Sequence, residues 1–238
     1  MRIINPTELF ELNFPMWEVT KYHIGNSKNR IVSIKNFFKY PKKLREYAES
    51  LDYMDTLNGQ VSGIPGYVHK IGAPSEVVDG PILDIASRVF EVTEPFALDD
   101  GHLFTFQIYP ISSSKKCRSS SLYPHVDNYR YAGVCSLNLN EECKNSDNST
   151  AFWRWDATSE EHTVKDSNYR ESRNIRNLPQ TVVDLDPSKF SIEGCSIYEK
   201  IPHSFNNFIM YEGNLWHSPY FNASAWKADR TTFNCFIN

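Results

Sequence analysis

The chain has 238 residues, carries a formal net charge of −4 and is 14 % aromatic. This length suits one large domain with a sizeable core. The slightly acidic balance, without a run of basic residues, argues against a nucleic-acid backbone as partner. The many aromatic residues favour strands and a walled pocket over a helical bundle.

Cysteine usage and the N-terminus bear on the cellular compartment. The chain has five cysteines and no Cys-x-x-Cys pair, so we expect neither a disulfide framework nor a structural zinc site. Residues 1–6 do not have the pattern of a signal peptide, and no apolar run approaches membrane-spanning length. These features predict a cytoplasmic location, in the producing or infected cell, and no membrane partner.

The N-terminal part of the chain predicts one strand and two helices. Residues 1–29 lack periodicity and are predicted to be irregular, whereas residues 30–38 are rich in β-branched and aromatic side chains and predict a strand. Pro41 opens a helix whose apolar side chains recur at i, i+3, i+4 and i+7. A second helix is predicted to start at Gly80-Pro81, after a Gly- and Pro-rich loop over residues 55–78. The two helices are expected to cover one side of a sheet.

The C-terminal part predicts about seven short strands separated by turn signals. Five of the strand patterns lie at residues 104–109, 131–139, 150–155, 207–211 and 230–237, and the others are around residues 125 and 217. Residues 156–190 are charged and show little apolar periodicity, which indicates an insertion, either a lid or an excursion. The chain is therefore predicted to be α+β and mainly β, with a barrel or sandwich in its C-terminal half.

One motif in this half has the character of a metal site. His125 and Asp127 are separated by one residue in a segment that predicts the start of a strand, where side chains at i and i+2 point to the same face. His217 follows far downstream in another strand-like segment. Two histidines and one carboxylate are the ligand set of non-haem Fe(II) oxygenases, and this set leaves positions open for a co-substrate and O2.

Arg230 and Thr232 form a second motif shortly after His217. Both lie at the head of the predicted strand over residues 230–237, and their spacing places them on the same face. An arginine beside a hydroxyl binds a carboxylate well, through charge-assisted and often bidentate hydrogen bonds. The sequence therefore combines a candidate metal triad and a candidate carboxylate anchor in one strand-rich half.

From residue 30 to residue 238 the chain resembles the Fe(II)/2-oxoglutarate-dependent dioxygenases, and within them the prolyl-hydroxylase-like group. The resemblance is most specific over residues 104–155 and 205–236. Its matching motifs are His125-x-Asp127, Leu137-Asn138-Leu139-Asn140, Thr150-x-Phe152, His217 and Arg230-x-Thr232. The stretch Phe152-Trp153-Arg154-Trp155 and the pair His217-Ser218 are similar to a little-characterised phage and bacterial branch.

The resemblance implies a fold and a division of the chain. The implied fold is a double-stranded β-helix, or jelly roll, with N-terminal helices packed on one sheet. Residues 1–238 would form a single oxygenase domain. Within it, residues 1–100 would support a jelly-roll core over residues 101–238, which carries the insertion at about 156–190.

The same resemblance implies how iron and 2-oxoglutarate would bind. The implied metal ligands are His125, Asp127 and His217. 2-Oxoglutarate would chelate the iron and place its distal carboxylate on Arg230, with help from Thr232 and with Tyr109 as a further contact.

The implied reaction consumes 2-oxoglutarate and O2 and releases succinate and CO2. It would hydroxylate an unactivated C–H bond of a peptide, an amino acid or another small molecule. Halogenases of this superfamily lack the metal-binding carboxylate, so the presence of Asp127 favours hydroxylation.

Several alternatives compete with these roles. Core packing explains Tyr109 and Thr232 as well as a ligand contact does, and it competes with pocket lining for Trp153, Trp155 and Trp216. The family's usual Gly-Gly-Glu-Thr is replaced by residues 148–151, Asn-Ser-Thr-Ala, so roles tied to that motif are not carried over. The other histidines are interpreted as surface or hydrogen-bonded residues; they are His23, His69, His102, His162 and His203.

Two other functions stay open at this point. One is a metal enzyme of different chemistry on a cupin-like barrel, such as a zinc hydrolase or isomerase. The other is a barrel that binds a partner without catalysis. The first gives Arg230 no reason to face the metal cavity, and the second gives no reason to keep three metal ligands.

Overall fold

The computed structural model describes residues 6–55, 67–71, 75–91, 102–109, 117–118, 124–127, 129–143, 148–162, 181–182 and 194–238. Its helices are α1 (Pro6–Leu9), α2 (Pro41–Glu49) and α3 (Ser75–Phe90). Its strands are β1 (Glu18–Ile24), β2 (Asn29–Lys35), β3 (Met54–Asp55), β4 (Tyr67–Ile71), β5 (Leu103–Tyr109), β6 (Cys117–Arg118), β7 (Tyr131–Ser136), β8 (Asn148–Trp155), β9 (Thr181–Val182), β10 (Cys195–Pro202), β11 (Phe208–Glu212), β12 (His217–Phe221) and β13 (Arg230–Ile237).

Antiparallel sheets dominate the architecture. The large sheet has the strand order β1-β2-β11-β7-β13-β5-β4-β3, the second sheet has the order β10-β8-β12, and β6 pairs with β9. Strand neighbours run antiparallel throughout. The prediction of a mainly β chain with two sizeable helices is therefore confirmed. No described helix combines the length and apolar character needed to cross a membrane.

One face of the large sheet packs against α2 and α3. Leu44 of α2 and Ile82 of α3 share a buried cluster with sheet residues such as Phe106, Phe208 and Phe233. These side chains are excluded from water, and each contributes roughly 1.5–3 kcal/mol of burial free energy. The predicted cover of two helices on one side of the sheet is confirmed.

The opposite face of the large sheet packs against the second sheet. Val134 and Ile209 of the large sheet lie in one buried cluster with Phe152 of β8 and Ile201 of β10. Because side chains alternate along a strand, the residues of β13 that point toward the second sheet include Arg230. The space between the two sheets is therefore where the predicted anchor and the predicted metal ligands can meet.

The prediction of an irregular segment over residues 1–29 is wrong for β1. This strand pairs with β2 from Glu18↔Lys35 to Ile24↔Asn29, and a turn with Gly25 at φ +70° joins the two. β1 is an edge strand whose side chains are mostly exposed. It therefore lacks the alternation of apolar and polar residues that reveals a half-buried strand in a sequence.

Two further strands of five or more residues lie where none was predicted. β4 interrupts the predicted loop over residues 55–78 and pairs with β5. β10 precedes the point at residue 207 where strands were expected to resume, and it pairs with β8 around an irregularity between Ile197 and Glu199. Such an irregularity breaks the two-residue period that sequence patterns depend on.

Helix α3 and strand β7 differ from their predicted bounds. α3 begins at Ser75, five residues before the predicted start at Gly80-Pro81. Pro81 therefore lies inside the helix. Proline is common in the first turn of a helix, so the sequence pattern led to a predicted start that is too late. The predicted strand over residues 131–139 ends at Ser136. Most of the predicted insertion, residues 163–180 and 183–190, lies outside the described residues.

An ion pair joins α2 to the loop after β7. Arg45 donates two hydrogen bonds to the Glu142 carboxylate, each 2.7 Å long. That carboxylate also accepts hydrogen bonds from the Leu139 amide and the Asn138 side chain. Burial opposes ionisation of Glu142, but the bonds from Arg45 and Asn138 outweigh it and lower the pKa of this carboxyl.

Replacing Glu142 with Gln is expected to lower the free energy of unfolding by about 1–2 kcal/mol at pH 7, because charge-assisted hydrogen bonds are lost. The folded-state pKa of Glu142 is lowered, so its contribution is present at neutral pH and is lost as the pH falls through that pKa. Urea unfolding at several pH values measures the difference, which should shrink under acid. Glu141→Gln, on an exposed neighbour, is the matched control.

Candidate active site

Backbone hydrogen bonds set His125 directly opposite His217. Each residue donates its N–H to the carbonyl of the other, at 2.9 Å in both directions, and the Asp127 N–H donates to the Gly213 carbonyl at 2.8 Å. The His125 segment therefore lies beside β12 through an isolated bridge. The predicted strand start at His125 is wrong in this respect. The extended geometry still places Asp127 close to both histidines.

The three predicted metal ligands come together. Ligand atoms of His125, Asp127 and His217 all lie within 4.8 Å of one another. His217 Nε2 is 3.3 Å from Asp127 Oδ2, and His125 Nε2 is 4.0 Å from Asp127 Oδ1. Within the described ranges, no other cluster of three His, Cys, Asp or Glu side chains could hold a metal ion.

The ring of His217 is held in one orientation. Its Nδ1 lies 2.9 Å from the Leu215 carbonyl, a distance at which Nδ1–H donates a hydrogen bond. That bond leaves the lone pair of Nε2 on the side of Asp127, the arrangement that metal-binding histidines use. The side chain is 4 % exposed and packs against the Tyr211 ring at 4.7 Å.

The metal triad lines a cavity that is partly open to solvent. Arg230 and Tyr109 line the same cavity, as the predicted carboxylate anchor requires. Thr232 is not among the lining residues. It is fully buried, and its Oγ1 has no hydrogen-bond partner. The i, i+2 spacing put Thr232 on the correct face, but not at the cavity surface.

Arg230 is a buried cation. It is 2 % exposed, its Nε donates to Asn148 Oδ1 at 3.1 Å, and its guanidinium carbon lies 5.2 Å from the centre of the Tyr109 ring. Among the described residues, no carboxylate forms an ion pair with it. Burial lowers the pKa of this guanidinium from its ordinary value. A desolvated charge of this kind is costly until an anion binds to it.

Tyr109 satisfies both of its competing interpretations. It pairs with Arg230 across the β5–β13 ladder, is 3 % exposed and packs edge-on against Phe221. It also lines the cavity. The three tryptophans are different, because none of Trp153, Trp155 and Trp216 lines the cavity. Trp153 and Trp216 belong to a buried cluster on the far side of β8, with Trp155 packed against it.

Sequence reasoning missed two residues beside this cavity. Thr150 lines it, and Thr150 Oγ1 lies 2.9 Å from Nε2 of His203. His203 is 1 % exposed, and its Nδ1 has no hydrogen-bond partner among the described residues. The interpretation of His203 as a surface or hydrogen-bonded residue therefore holds for only one ring nitrogen. His203 lies two residues after Ile201, whose side chain points between the two sheets. This spacing could have predicted that His203 is buried on the same side.

The structure is similar to several solved structures, all at low identity. One is a prolyl 4-hydroxylase from Phytophthora capsici, at 11 % identity and a TM-score of 0.44, covering 87 % of this chain and 57 % of that protein. This chain therefore spans little more than half of that protein's length. HygX from Streptomyces hygroscopicus, with nickel and 2-oxoglutarate bound, has 15 % identity, a TM-score of 0.44 and coverage of 87 % and 83 %. A Pseudomonas putida prolyl-4-hydroxylase has 9 % identity, a TM-score of 0.42 and coverage of 93 % and 91 %.

No curated protein matches the chain in sequence. A family model does match, over residues 15–237, which is nearly the whole chain. That span includes the metal triad, Tyr109 and Arg230. The chain therefore belongs to the family described as "Family of unknown function (DUF6445)".

Proposed function

We propose that the chain is an Fe(II)- and 2-oxoglutarate-dependent dioxygenase, which hydroxylates an unactivated C–H bond and releases succinate and CO2. One observation carries the proposal. A single cavity holds both a two-histidine, one-carboxylate cluster and a buried guanidinium without a carboxylate partner among the described residues. A metal hydrolase requires only the first of these two features.

The metal cluster fits iron by the chemistry of its donors. His125, Asp127 and His217 supply two neutral imidazoles and one carboxylate from the same side, which suits Fe(II) and leaves positions open for other ligands. Bound there, Fe(II) supplies the one-electron and O2 chemistry that no side chain offers. The chain's own task is to hold His217 in the correct tautomer and to keep Asp127 within reach of both rings.

The guanidinium fits a dicarboxylate co-substrate. Arg230 lines the cavity that contains the metal cluster, so one end of 2-oxoglutarate can bind the guanidinium while the other reaches the metal ligands. An arginine forks onto a carboxylate with two parallel hydrogen bonds, which fixes the orientation of the molecule. Tyr109 stacks on the guanidinium and excludes water from it.

The strand order supports the jelly-roll fold. Strands β5, β13, β7 and β11 are neighbours in the large sheet, and β12, β8 and β10 form the facing sheet with the His125 segment beside β12. Two facing four-stranded layers of this kind are typical of jelly rolls. We propose a single domain in which the parts before residue 100 support this core.

The substrate side of the cavity carries uncharged polar groups. Thr105, Gln107 and Asn234 line it, and Asn234 Nδ2 donates to Gln107 Oε1 at 3.2 Å. Such groups suit the amides and hydroxyls of a peptide, an amino acid or another small molecule. Among the described lining residues, Arg230 and the two histidines of the metal cluster are the basic ones, so these walls give a nucleic-acid phosphate little support as the bound group.

Turnover of 2-oxoglutarate tests the proposal. Anaerobically purified protein is loaded with Fe(II) and 2-oxoglutarate, O2 is admitted, and succinate is measured by mass spectrometry. We expect succinate to form even without substrate, and we expect none from His217→Ala. Calorimetry with the metal-loaded protein gives a second measurement. If wild-type protein binds no 2-oxoglutarate, the proposed function is wrong and a different metal chemistry must be sought.

A further inference from the structure

We propose that His203 is a positioning residue for the co-substrate: it orients the Thr150 hydroxyl so that the hydroxyl proton points into the cavity and binds a carboxylate beside Arg230. This inference rests on the proposed function, because the carboxylate is taken to be that of 2-oxoglutarate. It assigns a role to a buried histidine that lies outside the metal cluster. It also makes Thr150 a ligand contact in place of a wall residue.

Hydrogen bonds place Thr150 at the Arg230 end of the site. Asn148, two residues earlier on the same face of β8, accepts from Arg230 Nε at 3.1 Å, and its carbonyl accepts the His203 N–H at 2.8 Å. In the other direction along β8, Phe152 pairs with His217 of β12. Thr150 therefore lies between the residue that contacts the guanidinium and the residue opposite a metal ligand. A dicarboxylate that spans those two sites passes Thr150.

The unpartnered Nδ1 of His203 indicates where its proton is. A neutral imidazole carries one N–H and one lone pair, so the atom without a partner is either a buried donor or a buried acceptor. Among buried backbone groups, donors without partners are rarer than under-satisfied acceptors. By the same preference we assign the proton to Nε2, which lies 2.9 Å from Thr150 Oγ1. Burial and the nearby Arg230 hold the pKa of His203 well below its ordinary value, which keeps the ring neutral.

This tautomer decides what Thr150 offers to a ligand. The Thr150 oxygen accepts the Nε2–H bond, so its own single proton must go elsewhere. Thr150 lines the cavity, and the cavity is the place where that proton finds an acceptor. The other tautomer would turn an oxygen lone pair toward the ligand and repel a carboxylate. His203 thus adds a donor to the site without adding a second positive charge.

A set of four variants separates this role from simple packing. Thr150→Val removes the hydroxyl at nearly constant volume, and Thr150→Ser keeps it. His203→Phe removes the Nε2–H donor, and His203→Gln keeps an N–H donor on a side chain of similar reach. The dissociation constant of 2-oxoglutarate is measured by calorimetry on Mn(II)-loaded protein, together with the affinity for Mn(II) alone.

We expect Thr150→Val to raise the dissociation constant of 2-oxoglutarate by about tenfold or more, since a donor to a charged group is lost. His203→Phe should raise it by about three- to tenfold, and Thr150→Ser and His203→Gln should stay near wild type. Adding His203→Phe to Thr150→Val should change it less than about twofold further, because both act through one hydroxyl. The Mn(II) affinity should be unchanged in all variants, as in the exposed control His162→Phe.

Three outcomes would overturn the inference. The first is a dissociation constant of 2-oxoglutarate that is the same in His203→Phe as in the wild type. The second is a double variant whose loss of affinity equals the sum of the two single losses in free energy. The third is absence of 2-oxoglutarate binding in the wild type, which would overturn the proposed function as well. The first two outcomes contradict only the role of His203, so the two failures are distinguishable. If His203→Phe does not fold, the comparison of Thr150→Val with Thr150→Ser and the His203→Gln variant still decide the matter.

Discussion

Replacing Asp127 with Ala is expected to weaken binding of Fe(II) or Mn(II) by more than about 100-fold and to abolish succinate formation. Partners outside the ligand set already cost 10–100-fold in metal affinity when they are removed, so loss of a ligand should cost more. Asp127 is also the only anionic ligand among the three, and it lies within 4.0 Å of a ring nitrogen of each histidine. Its loss leaves two neutral imidazoles, which bind a divalent ion weakly.

Calorimetric titration of the metal-free protein with Fe(II) or Mn(II) under anaerobic conditions measures this loss of metal affinity. Asp84→Ala is the matched control, because Asp84 is an exposed carboxylate in an i, i+4 ion pair with Arg88, and such pairs contribute little. Thermal unfolding of the metal-free variants reports whether they fold. If folded Asp127→Ala protein binds metal like the wild type, the cluster of His125, Asp127 and His217 is not the metal site.

Replacing Arg230 with Met is expected to raise the dissociation constant of 2-oxoglutarate by at least about 30-fold. Truncating one partner of a buried charged contact costs about 2–5 kcal/mol, and the lower figure converts to that ratio. The variant separates binding from stability. Removing a buried guanidinium relieves its desolvation cost, which offsets the lost contacts with Asn148 and Tyr109. The ligand-free variant should therefore unfold at a temperature no lower than the wild type.

Two measurements on the same protein check this pair of effects. Calorimetry with Mn(II)-loaded protein gives the affinity for 2-oxoglutarate, and differential scanning calorimetry of ligand-free protein gives the unfolding temperature. Arg88→Met, on the exposed surface of α3, is the control and should change neither. An unchanged affinity for 2-oxoglutarate in Arg230→Met would show that a different residue anchors the co-substrate. A marked fall in the unfolding temperature would show that Arg230 has a compensating partner in the folded protein.

Arg230 also distinguishes the proposed oxygenase from a zinc hydrolase. Two histidines and a carboxylate serve in both classes of enzyme, so the metal ligands alone do not decide between them. The metal chemistry of a hydrolase does not itself require a second, buried cation lining the metal cavity. The strand pairing Arg230↔Tyr109 holds this cation at a fixed position relative to the metal cluster. For this reason the affinity for 2-oxoglutarate, more than metal content, tests the function.

Local patterns were sufficient to single out the candidate metal ligands and Arg230, although not Thr150 or His203. The alternation of side chains along a strand placed His125 beside Asp127, and the strand over Arg230–Ile237 has the predicted bounds. The apolar faces of α2 and α3 likewise predicted their packing on one side of a sheet. These features depend on contacts between near neighbours in the chain, and the periods of helices and strands record such contacts directly.

Patterns were insufficient where a strand is stabilised by its partner more than by its own composition. β1 is mostly exposed, and its main stabilising contacts are the backbone pairs with β2. Glu161, in a stretch predicted as a charged insertion, is buried. It accepts hydrogen bonds from the Asn26 amide in the β1–β2 turn and from the Asn29 side chain at the start of β2. No local period distinguishes this carboxylate from the exposed ones around it.

The sequence by itself determined the types of ligand, the spacing within each pair and the face that each pair shares. Only the tertiary structure decided which pairs meet and how deep each residue lies. It joins His125 to His217 through backbone bonds, sets Thr232 behind the cavity surface, and brings His203 to Thr150 across 53 residues of chain. The reason is physical. The face of a strand on which a side chain lies is set by the local backbone. The burial of that side chain and its hydrogen-bond partners depend on how the two sheets pack.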